Sequence, residues 1–538
     1  MRTKIVHILA ILILYSGCAN ITTPNGGPKD IAPPKKVSSI PEHKQKNFAG
    51  KTVEITFNEY VKFNNPKEEI IISPSPGKEI EYKIKQNKVS IKPKDGWQPE
   101  TTYSILFREG IKDFTEGNVP PNLKLAFSTG PTIDSLAITG RIFNLLKGTA
   151  AEKITVAIFA QDTFDIFVHK PSYFTKTDKQ GSFTLENLKA GTYTVYAFDD
   201  KNKNLKVESR AERYGFLANK IDLTKNVDSI KIGLISLDAR PLKIASIRNA
   251  GAITRVRFNK SATEYLIDED TTIVNTYGDN QTELLLRNPP TLGDSIQIHL
   301  TASDSLLTNL DSTFYIKKTA IVPPKETFKW SIGEPTIESE TGKFTTKITF
   351  NKPLSYINFD SLYIERDTVY KIPISKTDIT IDEHRKEIIV LKNLDKKLFK
   401  AETDPIFNLK ARPTFLRTLD SDTSKAITKS VPTIWPEDTG TLIVEVKTTE
   451  RNYLIQLLDG DNIVASIKNP TRHIFKFVKP TTYQLRIIID SNSNGKWDPG
   501  NYYKRIEPEK AIFYSAPDGK QTFPIRANWE LGPLILRF

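Results

Sequence analysis

The 538-residue sequence predicts an all-β chain of tandem β-sandwich domains, arranged in series as a multidomain rod. Three observations carry this expectation. Apolar and polar residues alternate in short runs along the chain, which is the two-residue period of half-buried strands. No long stretch shows the 3.6-residue spacing of an amphipathic helix. Two different strand motifs recur, at separations that suit sandwiches of about 100 residues. Length agrees, because single hydrophobic cores stop growing near ~250 residues.

The chain opens with Arg2 and Lys4, followed by an apolar run over 5–14 that is short for a membrane span. Residues 1–17 therefore read as a signal peptide. Tyr15-Ser16-Gly17-Cys18 follows and resembles the lipobox of bacterial lipoproteins, with Tyr15 where that box usually has Leu. The resemblance implies cleavage before Cys18 and acylation of its thiol. Several acyl chains, at about 0.8 kcal/mol per buried methylene, would hold the chain on a membrane without a span. Cys18 is the only cysteine, which excludes internal disulfides, zinc–cysteine sites and any other cysteine nucleophile. Residues 18–36 read as a lipidated tether, since Pro24, Gly26, Gly27, Pro28, Pro33 and Pro34 preclude regular structure. The segment from Thr23 to Pro34 resembles the start of many Bacteroidetes lipoproteins that carry bacterial Ig-like domains.

Beyond the tether, Val53, Ile55 and Phe57 alternate with Glu54 and Thr56, and Val89-Ser-Ile91 and Tyr103-Ser-Ile-Leu-Phe107 follow between Pro and Gly turns. The first motif is an Ile-Thr-Phe-Asn strand end: Phe57-Asn58, then Phe258-Asn259, then Phe350-Asn351, the last two 92 residues apart. Around the first copy stand Pro41, Ser73-Pro74, Pro99-Glu-Thr-Thr-Tyr103, Asp113, Gly117-Asn118 and Phe127-Ser-Thr-Gly130. Together they resemble the bacterial Ig-like domain named after the SbsA surface-layer protein, over roughly 35–132; the later copies resemble degenerate members. The second motif runs from Gly181 through Gly191-Thr-Tyr193 to Phe198 and resembles the carboxypeptidase regulatory-like, or transthyretin-like, sandwich. Tyr483-Gln-Leu-Arg-Ile-Ile-Ile489 repeats its core strand. The expected order is a bacterial Ig-like domain over 37–132, a transthyretin-like sandwich over 133–238, degenerate Ig-like domains over 239–325 and 326–437, and a transthyretin-like sandwich over 438–538.

Hydrophobic content of 38% and aromatic content of 10% suffice for packed domains. The net charge of +13, from 76 basic and 63 acidic residues, is spread along strands rather than gathered in a patch. Solvated strand faces and protected edges account for it, and a nucleic-acid role is not indicated. Attraction to anionic surface polymers or lipids follows from the charge alone.

Both copies of the second motif enter a loop rich in Asp and Asn seven residues after the tyrosine. In the later one, Asp490, Asn492, Asn494 and Asp498 stand at positions 1, 3, 5 and 9, Gly495 at 6, and Lys496 at the carbonyl position 7. This resembles an EF-hand or dockerin calcium loop, where alternate residues turn oxygens toward one ion. Asn501 replaces the bidentate Glu at position 12. With two carboxylates, affinity would fall near 10⁻⁴ to 10⁻³ M at about the level of weak extracellular modules. An Asx-rich loop bonding its own backbone is the plain alternative. The earlier loop keeps the spacing in Asp200, Asn202, Asn204 and Glu208, with Leu205 in place of the glycine. Structural calcium is thus the only cofactor suggested.

There is no Gly-x-Ser-x-Gly elbow, phosphate loop or His-Glu-x-x-His motif. His43, His169, His299, His384 and His473 are scattered singly, and the five tryptophans, Trp97, Trp330, Trp435, Trp497 and Trp529, are spread along the chain. Asp360, Glu365 and Asp367 are the nearest thing to a hydrolase carboxylate set, and exposed strand charges are the simpler reading. Trp497, Tyr502 and Tyr503 suggest a docking surface. The functional expectation is therefore a non-catalytic, lipid-anchored outer-membrane protein, either facing the periplasm or the cell surface. It would act as a scaffold or binding subunit with an envelope protein partner, for example in an outer-membrane assembly or secretion complex. A glycan-binding or adhesive lipoprotein is the alternative, and a carboxylate-dependent glycan hydrolase ranks last.

Overall fold

The computed structural model of the protein describes residues 30–77, 79–160, 164–251, 253–267, 273–278, 280–287, 294–306, 308–317, 326–382, 386–399 and 405–538. The expected signal peptide, Cys18, the expected tether up to residue 29 and His384 lie outside them. The described residues are nearly all strand and turn, so the fold class is all-β. The one α-helix among them is the four-residue Pro66–Glu69, with Pro66 in the first turn, where its missing N–H costs nothing. No helix among the described residues is long and apolar enough to cross a membrane, which says nothing about strands that might.

The described residues form two compact units, one holding 30–137 with 172–174 and 185–190, the other holding the remaining described residues. In the first, strands Lys36–Ile40, Val53–Phe57, Lys88–Pro93 and Ile80–Lys85 lie side by side in that order, and Ile71–Ser73, Thr102–Leu106 and Lys124–Ser128 form another sheet. Alternation puts Val53, Ile55 and Phe57 inward, against Tyr103, Ile105 and Phe127. Trp97 joins this core, with its ring centroid 4.8 Å from that of Tyr103 and 5.1 Å from that of Phe127.

The second unit repeats this sheet order twice. Strands Ile244–Ala250, Ile253–Phe258, Glu283–Arg287 and Val274–Tyr277 form one set over a core containing Phe258, Leu284, Leu300 and Ile316. Trp330–Ile332, Lys343–Phe350, Glu387–Asn393 and Ile379–Ile381 form the other, over a core containing Phe344, Phe350, Ile364 and Phe415. Phe57, Phe258 and Phe350 are all buried. The asparagine after each makes the same two bonds. Asn58, Asn259 and Asn351 accept the N–H of Lys35, Lys243 and Lys329 on their side-chain oxygens at 2.6, 2.8 and 2.8 Å. Each also donates its own N–H to the carbonyl of that lysine at 3.1, 3.0 and 3.1 Å. The repeated dipeptide thus pairs a core anchor with a clamp on the preceding strand.

The second motif also recurs as structure. Leu136–Asn144 pairs in parallel with Val227–Leu234, as Gly440–Lys447 does with Glu530–Arg537. Gly191–Phe198 pairs with Thr155–Phe159, Tyr214–Phe216 and Ile221–Leu223. Thr482–Ile489 pairs in the same way with Tyr453–Asp459, Ala511–Phe513 and Thr522–Pro524. Tyr193 and Tyr483 are buried at the start of these central strands.

Within the second unit the C-terminal sandwich packs onto residues far earlier in the chain. The Tyr502 ring lies 5.2 to 6.4 Å, between centroids, from Phe167, Phe216, Tyr196 and Tyr214. Asn501 donates to the Leu306 carbonyl at 2.7 Å, Tyr503 to that of Ala239 at 2.9 Å, and Arg486 to that of Leu146 at 2.8 Å. Tyr502, read from sequence as an outward docking residue, is therefore used inside the chain. Its aromatic spacing looks the same whether the surface it meets belongs to a partner or to itself.

Candidate functional site

The two Asp/Asn loops occupy equivalent places, each leaving the central strand of its sandwich. Asp490 is fully buried beneath an exposed loop. Its Oδ2 accepts the Gly495 N–H at 3.0 Å and lies 3.5 Å from Lys468 Nζ. Its Oδ1 is buried without a hydrogen-bond partner. Asn492 and Asn494 both donate side-chain N–H groups to Asp498 Oδ2, the second at 2.8 Å. Their own oxygens accept the N–H groups of Asn494 and Lys496 at 3.1 and 2.8 Å, which fixes the turn. Gly495, at φ 77°, takes the left-handed conformation that a glycine adopts freely.

The Asp200 loop repeats these bonds. Asn202 and Asn204 donate to Glu208 Oε1 at 2.6 and 3.2 Å, and Lys206 donates to the Asn204 oxygen at 2.7 Å. Leu205 takes the glycine's place at φ 60°, a conformation that costs a side chain energy. Asp200 differs from Asp490 in having both oxygens engaged: Oδ1 accepts Asn204 N–H at 3.0 Å and Oδ2 accepts Leu205 N–H at 3.2 Å. Burial pushes the Asp200 carboxyl up, against the pull of those backbone donors.

Each loop has a brace that its local spacing does not contain. Glu509 accepts the N–H of Ser491 at 2.6 Å and of Asp498 at 3.0 Å, tying both ends of the later loop together. Glu212 does the same for Lys201 and Glu208, at 2.9 Å each. Burial pushes both carboxyls up, and neighbouring carboxylates add to the shift. The signal was present in the repeat: each glutamate stands two residues before the return strand, Tyr214–Phe216 or Ala511–Phe513. Among the described residues no group of three or more His, Cys, Asp and Glu side chains is arranged to hold a metal ion. The Asp490 loop offers two carboxylates, and any further oxygens would come from amides and backbone.

The other residues singled out from sequence are placed apart. Glu365 is buried beside Lys410 Nζ at 2.5 Å, while Asp367 accepts the Ile406 N–H at 2.8 Å and Asp360 is exposed. His43 accepts the Ala126 N–H at 3.2 Å, His169 accepts the Asp165 N–H at 2.9 Å, His299 lies 2.9 Å from Asp311, and His473 packs on Phe475. Trp497 donates to the Glu509 carbonyl at 3.0 Å, and Trp529 is exposed beneath the Arg526 guanidinium. A groove of about 530 Å³, lined by Leu354, Tyr356, Phe359 and Ile381, is mainly apolar and holds one carboxylate, Asp382.

Comparison with protein families matches residues 30–129 to the bacterial Ig-like domain, and residues 148–208 to a fibronectin-type family described as polysaccharide lyase family 4, domain II. No curated protein matches the chain. Among solved structures, the S-layer protein SbsC is 13% identical over 91% of this chain and 67% of its own, with a TM-score of 0.16. SGBP-B of the Bacteroides ovatus mixed-linkage glucan utilization locus, solved in complex with a mixed-linkage heptasaccharide, is 11% identical over 73% of this chain and 94% of its own, with a TM-score of 0.15. The major pilin subunit BcpA of Bacillus cereus is 10% identical over 75% and 99%, with a TM-score of 0.14. Likenesses of this size carry no argument about function.

Proposed function

We propose that the protein is a non-catalytic, lipid-anchored scaffold or binding subunit of the outer membrane, acylated at Cys18 and accessory to an assembly or secretion complex. The observation that supports it best is the use made of its reactive side chains. Asp304 pairs with Lys260, Asp422 with Lys352, and Glu365 with Lys410, each pair holding a sandwich together. Tyr502 and Trp497 pack within the chain. Among the described residues, sandwich surface and edge strands stay open to other molecules, and these are parts by which such folds bind proteins.

Glycan binding is the second reading. The match of residues 148–208 to a domain of a polysaccharide lyase family favours it. Extraction of the intact chain from envelopes in mild detergent separates the two. A protein partner recovered in fixed ratio supports the subunit, with Cys18→Ser abolishing membrane association and shifting the chain to the soluble fraction. Recovery alone, with retained polysaccharide affinity, favours the second reading and sinks the first. Unchanged membrane association of Cys18→Ser would remove the anchor from either.

A further inference from the structure

The two loops share a spacing, a set of amide-to-carboxylate bonds and a glutamate brace, but they differ at one oxygen. Asp200 places both carboxylate oxygens on backbone N–H groups. Asp490 places one on Gly495 and leaves Oδ1 fully buried with no partner. A buried carboxylate oxygen without a donor is costly, and proteins normally meet that cost with a hydrogen bond or a cation. Lys468 does not meet it: its ammonium sits 3.5 Å from Oδ2, the oxygen already bonded, and donates to the Ser493 carbonyl at 2.9 Å.

We propose that the Asp490 loop is a site for one divalent cation of the calcium class, and that the Asp200 loop is its self-closed counterpart. Asp490 Oδ1 and Asp498 supply the charged oxygens. Asn492 and Asn494 meet at Asp498 Oδ2, so three side chains already converge on one point. A cation there displaces the two amide N–H donors and draws the amide oxygens in their place, with the Lys496 carbonyl and water completing a set of six to eight oxygens, typical of about 2.3–2.6 Å contacts. Two carboxylates and mostly neutral ligands suit calcium, which tolerates irregular oxygen shells, better than magnesium or a transition metal. Glu509 is a positioning residue: it holds Ser491 and Asp498 by their backbone N–H groups and so fixes the distance across the loop. Trp497 and Tyr502 follow within the same segment, so the ion also steadies the stretch that packs on Phe167 and Phe216. The inference is independent of the anchor and of any partner.

Calorimetric titration of the intact chain with calcium chloride tests it, beside Asp490→Asn, Asp498→Asn and Asp200→Asn. The result that supports it is one calcium per chain with Kd near 10⁻⁴ to 10⁻³ M, about the range of weak extracellular modules. Affinity should fall at least about tenfold in Asp490→Asn and Asp498→Asn and stay unchanged in Asp200→Asn. Calcium should raise the melting temperature of the intact chain, and chelation should reverse it. If Asp490→Asn fails to fold, Asp498→Asn carries the test, since Asp498 sits in the accessible loop. No binding at several millimolar, or binding that survives both substitutions, overturns the site. Two calcium ions per chain, one lost in Asp200→Asn, overturns the distinction between the loops.

Discussion

Asn351 holds Lys329 by both backbone groups, accepting its N–H on the side chain at 2.8 Å and donating its own N–H to the Lys329 carbonyl at 3.1 Å. A single residue thereby aligns the strand Trp330–Ile332 against Lys343–Phe350, just where Phe350 enters the core. Asn58 and Asn259 do the same for their own strands, so the Phe-Asn dipeptide recurs for a mechanical reason.

Asn351→Ala removes the side-chain half of this clamp. The expected cost is about 1–2 kcal/mol, because the same amide also donates to Glu326 and to the Thr327 carbonyl at 3.0 Å each, all at exposed sites. The more specific readout is hydrogen exchange, with faster exchange at the Lys329 amide and little change at Asn58 and Asn259. Equal protection of Lys329 in the variant would show that strand pairing alone sets the alignment.

The parts legible in the sequence are those fixed by local chemistry. Strand alternation marks Phe57, Phe258 and Phe350 as inward because the side-chain period is two. Loop spacing brings Asn492, Asn494 and Asp498 together because a tight turn leaves them little choice. Glu509 was not legible from the loop, lying 19 residues after Asp490 and arriving only through the return strand. The packing of Tyr502 on Phe167 was hidden for the same reason, since sequence shows an aromatic but not what it meets. Asp360, Glu365 and Asp367 look alike in sequence, and three different surroundings separate them in the fold.

Asp113 should make the first unit sensitive to acid. Burial works against its charge, but N–H groups of Glu116, Gly117 and Asn118 at 2.6, 2.9 and 2.7 Å outweigh that and hold the carboxyl below its usual range. A depressed folded value means that the stabilisation is complete above the unfolded carboxylate range, near about 4, and is lost as pH falls through the folded value. Asp113→Ala should therefore unfold at lower denaturant than the parent at neutral pH, with the gap closing in acid. A gap that stays constant down to pH of about 2 would assign the effect to packing instead.

Tyr502→Ala should loosen the C-terminal sandwich from the earlier one without unfolding either. The ring meets four aromatic side chains, and losing that contact costs roughly 2 kcal/mol. Limited proteolysis should then open sites near 499–508 and 164–170 at increased rate, while the buried strand Thr482–Ile489 stays protected. Cleavage spread through that strand would mean that the contact supports the sandwich itself.

Lys352 offers the sharpest test of buried charge. Its side chain is 2% exposed, with Nζ 2.7 Å from Asp422 and 3.3 Å from Asp420. It follows the Phe-Asn dipeptide, as does Lys260, which is likewise buried and paired with Asp304. In the first copy that position is Glu59, and the nearby Asp113 takes backbone N–H groups instead. The acid is thus neutralised by lysine in two copies and by turn amides in one. Removing one member of a buried pair leaves the other uncompensated, at a cost of about 3–5 kcal/mol. Lys352→Met should fall at the lower end of that range by chemical denaturation, because Asp422 and Asp420, with side chains 20% and 29% exposed, lose the buried ammonium they share but keep some contact with water. Lys352→Met combined with Asp422→Leu should recover much of the loss, since the pair's net contribution is far smaller than the cost of breaking it. Additive losses in the double variant would show instead that each residue acts through separate contacts.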